Sequence, residues 1–138
     1  MSGRSRMHEV RVQLEVPFYD VDILRVAWHG HYYKYFELAR TELLRSIGLD
    51  AGDLIGPRYA FLVSESQCRH IQPLEYGERF EVAAWIRDYE NRICIDYEIT
   101  SLDRGQRSAK GRTVLVSTDL EGRLLLRTPQ AIRDRIVG

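Results

Sequence analysis

The residues best suited to chemistry lie together just before a long helical pattern. They are two acids and two histidines: Asp20, Asp22, His29 and His31. A helix N-terminus presents free backbone amides and a partial positive charge, which polarise a carbonyl oxygen placed there. A carboxylate beside that oxygen supplies an attacking group or a base, and the amides stabilise the developing oxyanion. The segment therefore has the parts of a hydrolytic or acyl-binding site, although from these residues alone helix capping is the favoured interpretation.

The helix that follows is predicted from the spacing of its apolar residues. Intervals of four and three separate Tyr32, Phe36, Ala39, Leu43 and Ile47. This spacing is typical of an amphipathic helix, and Gly48 stands where a left-handed C-terminal cap is favoured. Three further apolar residues widen the apolar face of this helix: Tyr33, Leu38 and Leu44. We therefore expect most of this helix to be buried.

Most of the remaining chain alternates between polar and apolar residues, which predicts β-strands. The predicted strands are Glu9 to Val16, a weaker one around Phe61 to Ile71, Phe80 to Arg87, Ile93 to Thr100, Arg112 to Thr118 and Leu124 to Leu126. Short turns between the later strands favour antiparallel pairing. A short helix is predicted for Pro129 to Val137. The pattern predicts an α+β fold, in one domain spanning residues 1–138, whose sheet curls round the long helix.

Composition excludes several classes of protein. Hydrophobic residues make up 44% and charged residues 29% of the chain, which is the balance of a globular protein. The 20 basic and 20 acidic residues cancel, so no overall field draws the chain onto nucleic acid or an anionic membrane. No apolar run predicts a signal peptide or a membrane span. Cys68 and Cys94 suit neither a disulfide scaffold nor a metal site, so we expect free thiols in a cytoplasmic protein.

Three blocks of the sequence form a specific signature. They are Asp20-x-Asp22, Val26-x-Trp28-His29-x-x-Tyr32 and Tyr35-Phe36-Glu37-x-Ala39-Arg40-x-Glu42, followed later by Pro73-Leu74-x-Tyr76-Gly77-Glu78. With these blocks the chain resembles the 4-hydroxybenzoyl-CoA thioesterase family, most closely its bacterial branch of acyl-CoA thioesterases associated with the Tol-Pal cluster. The resemblance covers nearly the whole chain. It implies a hotdog fold, in which a curved antiparallel sheet wraps one long central helix.

The resemblance also implies an activity and the roles of individual residues. The activity is hydrolysis of an acyl-CoA to free acid and coenzyme A, with coenzyme A as part of the substrate and no separate cofactor. Asp22 corresponds to the catalytic carboxylate, acting as a general base or as a nucleophile. His29 corresponds to the histidine that positions the thioester, and a backbone amide at or beside it corresponds to the oxyanion donor. From the residues themselves, independently of the resemblance, we expect a structural hydrogen-bonding role for Asp20 and a local structural role for His31.

Other residues are candidates for substrate binding. Trp28 and Tyr32 are aromatic residues that could line the acyl channel, although aromatic residues are more often core. Arg92 lies in the turn after Tyr89, at a place where some relatives carry basic coenzyme contacts, and bidentate arginine contacts suit phosphate. Two residues depart from the small residues and glycine common in the family, namely Leu24 and Arg25. His31 stands where an asparagine is common.

Two other functions fit the same pattern. One is a hotdog dehydratase or isomerase acting on acyl thioesters, and the other is an acyl-CoA binding protein without activity, motivated by the departures at Leu24 and Arg25. The expected assembly is the same for all three. An open sheet edge seeks a partner strand, and family members pair edge to edge with sites at the interface. We therefore expect a homodimer, or a homotetramer built from it.

Overall fold

The sheet contains five antiparallel strands. The computed structural model describes residues 6–55 and 58–138, so most of the N-terminal segment before the first strand lies outside it. The strands are β1 (Met7–Glu15), β2 (Tyr59–His70), β3 (Arg79–Asp88), β4 (Ile93–Ser101) and β5 (Gln106–Asp119). Their order is β1-β3-β4-β5-β2, and every neighbouring pair is antiparallel. The predicted antiparallel sheet is thus confirmed, with β1 and β2 at its edges.

One long helix packs against the inner face of this sheet. The helices are α1 (Tyr32–Ser46), α2 (Ala51–Ile55) and α3 (Gln130–Val137). Four of the five predicted periodic residues, Tyr32, Phe36, Ala39 and Leu43, are buried in α1, whereas Ile47 is half-buried and lies just past its end. Gly48 follows with a φ of 69°. None of the helices in residues 6–55 and 58–138 is long and apolar enough to cross a bilayer.

The core forms between α1 and the inner face of the sheet, with buried side chains from β3, β4 and β5. The Phe36 ring stacks on the Tyr97 ring, with centroids 4.4 Å apart and planes 12° from parallel. A Cβ at Gly111 would overlap the Phe36 ring, so the helix comes this close only because that residue is glycine. Truncating a buried phenylalanine typically costs about 3–5 kcal/mol, so this contact fixes α1 firmly on the sheet.

Two expectations about the elements are wrong. Leu124 makes only a single bridge to Thr118, and Leu126 is 92% exposed, so Leu124 to Leu126 is not a strand. The hydrogen bond from the Leu125 amide to the Ser117 carbonyl holds the chain there without extending a ladder. In the single chain α1 is also less buried than expected, because the sheet covers only one side of it. Tyr33 and Leu38 are exposed on the side of α1 that faces away from the sheet.

Candidate active site

Asp22 begins a tight loop between β1 and α1. Its amide donates to the Val26 carbonyl at 3.0 Å, and the Arg25 amide donates back to the Asp22 carbonyl at 2.9 Å. The Asp22 Oδ1 atom accepts the Leu24 amide at 2.9 Å. Asp22 therefore stabilises its own turn and does not cap the helix. Its Oδ2 atom has no hydrogen-bond partner among the described residues.

Leu24 and Arg25, which were singled out in the sequence, lie at the exposed tip of this loop. Ile23 and Leu24 are 96% and 76% exposed. Arg25 has a φ of 63°, in the left-handed region that glycine adopts without steric cost. A residue with a β-carbon is thus under backbone strain at this position of the loop.

A cavity of about 240 Å³ brings three of the predicted residues together. Asp22, His29 and Tyr32 all line it, and its remaining walls come from Val26, Ala27 and the segment from His70 to Pro73. That segment consists of the last residue of β2 and the start of the following loop, and it was not predicted to belong to the site.

The approach to α1 leaves two backbone amides without hydrogen-bond partners among the described residues, one of them at His29, which lines this cavity. A 3-10 turn, His29–His31, precedes the helix, and no side chain caps it. The His31 amide donates to the Trp28 carbonyl, whereas the amides of His29 and Gly30 have no hydrogen-bond partner within the described part of the chain. Free amides at a helix entry are the donors that an oxyanion needs.

Trp28 lies over this turn and does not line the cavity. Its ring is 49% exposed and contacts the His29 and His31 rings, with centroids 5.0 Å and 5.5 Å away. A Cβ at Gly30 would collide with the Trp28 ring, so the indole packs directly on the turn backbone. The position of Trp28 indicates that it shapes the helix entry.

His70 is the site residue that sequence reasoning missed. Its Nε2 atom lies 3.3 Å from the His29 carbonyl oxygen and 3.5 Å from the Cys68 Sγ atom. The His70 ring also packs on the Tyr32 ring, with centroids 4.7 Å apart. His70 is thus placed to fix the peptide that begins the turn.

Tyr32 forms the buried floor of the cavity. Its hydroxyl accepts the Leu74 amide at 3.2 Å, and burial raises the pKa of the phenol. The hydroxyl therefore stays protonated at neutral pH and ties α1 to the loop after β2.

Asp20 lies only two residues from Asp22 but is 1% exposed. Its Oδ1 atom accepts Lys34 Nζ at 2.6 Å, and its Oδ2 atom accepts the Tyr35 hydroxyl at 2.7 Å. Burial raises the pKa of this carboxyl, but the two hydrogen bonds and the Lys34 charge outweigh it and hold the pKa below its usual range. His31 Nε2 lies 3.9 Å away. These contacts fit the structural roles expected of Asp20 and His31.

Glu78 anchors the loop that supports the Asp22 loop. It is buried and accepts the Glu75 amide at 2.9 Å, Arg104 Nε at 2.7 Å and the Ser101 hydroxyl. Arg104 also donates to the Pro73 carbonyl at 2.5 Å. Burial raises the Glu78 pKa, but these hydrogen bonds outweigh it and the pKa is lowered.

The anchored loop is joined to the Asp22 loop through the backbone. The Ala27 amide donates to the Leu74 carbonyl at 2.7 Å, and the Tyr76 amide donates to the Arg25 carbonyl at 3.0 Å. The Pro73 to Glu78 block seen in the sequence thus positions the candidate acid through two backbone contacts.

Arg92 is far from the cavity in the single chain. It is exposed in the turn between β3 and β4. The next residue, Ile93, pairs with Leu115, which pairs with Val63, whereas the cavity lies at the His70 end of β2. Seven strand residues span roughly 23 Å, so one chain does not bring Arg92 to Asp22.

A long helix on a five-stranded antiparallel sheet, with a carboxylate and free amides at the helix entry, defines a hotdog-fold protein. A sequence model of the thioesterase-like superfamily matches residues 16–136, so the chain belongs to that superfamily. This membership places the protein among the thioester hydrolases.

Individual relatives agree with this class. The chloroplastic acyl-acyl carrier protein thioesterase ATL3 of Arabidopsis thaliana is 30% identical over 136 residues, which cover 98% of this chain and 70% of ATL3. A 1,4-dihydroxy-2-naphthoyl-CoA thioesterase from Synechocystis, 23% identical, superposes with a TM-score of 0.81 over 94% of this chain and 96% of its own. SAV2348 from Staphylococcus aureus, solved in complex with CoA, is 17% identical and superposes with a TM-score of 0.84 over 99% and 86%. The two structural likenesses confirm the fold.

Proposed function

We propose that this protein hydrolyses acyl-CoA thioesters in the cavity at the start of α1, with Asp22 as the catalytic carboxylate. One observation carries the proposal: Asp22 and His29 line the same cavity, beside two helix-entry amides that have no partner among the described residues. Coenzyme A belongs to the substrate in this proposal. The finer placement in the 4-hydroxybenzoyl-CoA thioesterase family and its Tol-Pal-associated branch belongs to the same proposal.

The chemistry follows from the two oxygens of Asp22. Oδ1 is held by the Leu24 amide, which leaves Oδ2 to accept a proton from water. The water oxygen then bonds to the acyl carbon while the amides of His29 and Gly30 hold the oxyanion. Collapse breaks the carbon–sulfur bond, and the thiolate takes the proton from the Asp22 carboxyl. In the alternative route with the same geometry, Oδ2 bonds to the acyl carbon and the carbon–sulfur bond breaks, which gives an anhydride and the CoA thiolate. Water then opens the anhydride to free acid and the Asp22 carboxylate, and the thiolate takes the proton released.

A second candidate gains support from His70. Hotdog dehydratases pair a histidine with an acid from a different segment, and here His70 and Asp22 come from distant segments and line one cavity. Both reactions start from an acyl thioester. Release of free thiol, followed with a disulfide dye, separates them because dehydration leaves the thioester intact.

The site is proposed to work in a homodimer, which could assemble further into a homotetramer. β2 is a twelve-residue edge strand whose side chains are mostly exposed, including Leu62 and Val63 at 55% and 45%. Such an edge favours pairing with the same strand of a second copy. Cys68 and Cys94 are free thiols, which suit the reducing cytoplasm proposed as its location.

The test of the proposal is Asp22→Asn. Asparagine keeps the shape and can still accept the Leu24 amide, so we expect the free energy of unfolding to fall by about 1 kcal/mol or less. An amide cannot act as a carboxylate base or nucleophile, so kcat for acyl-CoA hydrolysis should fall at least about 100-fold. Thiol release measures kcat, and equilibrium binding of the acyl-CoA should survive.

Glu121→Gln provides the control, because it removes an acid that is exposed and outside the cavity. It should leave kcat unchanged. Near-normal turnover by folded Asp22→Asn would show that another group carries the chemistry.

A further inference from the structure

A groove of about 440 Å³ lies on the face of the sheet that points away from α1. Gly111 of β5 lies against the Phe36 ring of α1. Successive side chains of a strand point to opposite faces of a sheet, so Lys110 and Arg112 point away from the helix, and both line the groove. A cavity of this size is typical of a small-molecule site. The proposed mechanism does not use it.

The groove is separate from the Asp22 cavity. Arg69 and His70 are consecutive residues of β2, and their side chains point to opposite faces of the sheet. Arg69 lines the groove, whereas His70 lines the Asp22 cavity. A ligand in the groove therefore lies across the sheet from the site proposed for hydrolysis.

Basic side chains outnumber acidic ones in the groove. The five basic residues are Arg6, Arg69, Arg87, Lys110 and Arg112, and the two acidic residues are Asp96 and Glu98. Both acids already have partners. Asp96 accepts Arg112 Nε at 2.8 Å and lies 3.5 Å from Arg87 Nη1. Glu98 pairs with Arg107 at 3.0 Å. The groove therefore favours an anion.

Arg69 and Lys110 carry the charge that has no partner. They stand directly opposite each other on β2 and β5, and neither makes a hydrogen bond or an ion pair with any described residue. No other like charges are directly opposed in the strand pairs of residues 6–55 and 58–138. Like charges in such a pair destabilise a sheet. An anion between the two side chains would remove this repulsion.

A flat stacking surface lies at the other end of the groove. The Arg6 guanidinium lies over the Trp85 ring, 3.8 Å from the ring centroid. A guanidinium group also stacks on other planar rings, so the outer surface of Arg6 suits an aromatic base. Three interstrand spacings, roughly 14 Å, separate Trp85 on β3 from β2. A nucleoside diphosphate is long enough to reach from one end to the other.

We propose that this groove binds a free nucleoside diphosphate, with the diphosphate between Arg69 and Lys110 and the base against Arg6. Arginine donates paired hydrogen bonds to phosphate oxygens, and lysine supplies a compact positive charge beside them. The site is separate from the acyl-CoA site and does not depend on the proposed thioesterase activity.

Binding of ADP tests the site. The chain has two tryptophans, Trp28 and Trp85, so in Trp28→Phe the fluorescence comes from the groove alone. ADP should change this fluorescence saturably. In the same background, Arg69→Gln and Lys110→Gln should each raise the Kd at least about tenfold, as expected for loss of a hydrogen bond to a charged group. Arg127→Gln removes an exposed arginine outside the groove and should leave the Kd unchanged.

Inorganic diphosphate separates the two ends of the groove. Arg6→Gln should weaken ADP binding to about the affinity of inorganic diphosphate, because it removes the stacking surface. It should leave the Kd of inorganic diphosphate itself unchanged, since about 14 Å exceeds the Debye length of roughly 8 Å at physiological ionic strength. A fall in diphosphate affinity as large as the fall for ADP would contradict the placement of the base.

Stability provides the folding control. Arg69→Gln removes one member of the like-charge pair, so its urea midpoint without ligand should not fall below that of the wild type. ADP should raise the midpoint of the wild type and not that of Arg69→Gln, because a ligand stabilises only a folded protein that binds it. An equal rise in both proteins would place the ADP elsewhere and overturn the proposal.

The remaining outcomes are equally decisive. No saturable response of the wild type to ADP at millimolar concentration would overturn the proposal, as would an equal loss of affinity in Arg127→Gln. Acetyl-pantetheine lacks the nucleotide of acetyl-CoA. If Arg69→Gln lowers kcat/KM for acetyl-CoA but not for acetyl-pantetheine, the groove holds the nucleotide of the substrate, and a separate site is ruled out. A protein that binds ADP as described but hydrolyses no acyl-CoA would refute only the proposed function.

Discussion

Asp20 and Asp22 have the same side chain but different environments. Both oxygens of Asp20 are occupied, by Lys34 and Tyr35, and the side chain is buried. A carboxylate in that state, with a lowered pKa, is a poor proton acceptor. Asp22 is only partly buried and uses one oxygen for its own turn. The chemistry is therefore expected at Asp22, while Asp20 holds the start of α1 in place.

His70 is expected to act as a positioning residue through the His29 carbonyl. Replacing it with phenylalanine keeps a ring against Tyr32 but removes the contact with that carbonyl, so the turn amides should lose their orientation. We expect kcat to fall roughly 10-fold to 100-fold in His70→Phe, with a smaller change in KM. His70→Gln, which retains a side-chain donor, should recover part of kcat. Equal loss in both variants, or a loss confined to KM, would contradict this role.

At the scale of elements, the sequence predicts best where one strong pattern acts locally. The periodicity of α1 and the alternation of β3 and β4 each reflect burial of one face, and all three elements are found where predicted. The alternation of β2 is weak because this edge strand is exposed along most of its length. Leu124 to Leu126 is apolar but lacks a ladder partner, so the strand predicted there was wrong.

The residues of the candidate site also differ in how well the sequence predicts them. Asp22 and His29 could be proposed together from the sequence because they lie close to each other, just before α1. His70 lies 41 residues from the carbonyl it contacts, and Glu78 and Arg104 lie 26 residues apart. The pairing of β3 with β4, which puts Phe80 opposite Ser101, brings Glu78 close to Arg104, and the packing of the helix entry against the end of β2 brings His29 to His70. A single sequence carries no periodic signal for contacts of this kind.

The Asp22 loop gives a prediction about stability. Arg25 has a positive φ, and the left-handed conformation costs a residue with a β-carbon about 1–2 kcal/mol. Arg25→Gly removes that strain, although glycine loses more backbone entropy on folding. We expect the free energy of unfolding to rise by about 0.5–1 kcal/mol, measured by urea denaturation. Arg58→Gly relieves the same strain outside the loop and provides a matched comparison. A clear loss of stability in Arg25→Gly would mean that the arginine side chain makes compensating contacts.

At the scale of the whole molecule, two buried carboxylates hold the segments on either side of the site. Asp20 fixes the start of α1, and Glu78 fixes the loop that supports Asp22. For both groups burial raises the pKa, but hydrogen bonds and cations outweigh it and the net pKa is lowered. A lowered folded-state pKa gives stability that is fully present above the unfolded-state value, at about pH 4, and is lost as pH falls through the folded-state value. Asp96 affects the pH dependence of stability in the opposite direction, because its folded-state pKa is raised: burial raises it more than Arg87 and Arg6 lower it.

Comparing each variant with the wild type at several pH values isolates the contribution of the replaced carboxylate to the free energy of unfolding. Asp96 and every other carboxylate are present in both the variant and the wild type, so their contributions cancel. At pH 7, Asp20→Asn and Glu78→Gln should each lower the free energy of unfolding by roughly 1.5–3 kcal/mol, the range for hydrogen bonds to charged groups. As pH falls from 5 to 3, the wild type loses the contribution that each variant already lacks, so the difference should shrink. Urea denaturation at each pH measures it, and Glu121→Gln, at an exposed acid, should show almost no difference at any pH. A difference between wild type and Asp20→Asn that stayed constant down to pH 3 would show that the charge of Asp20 contributes nothing and that only its shape is required.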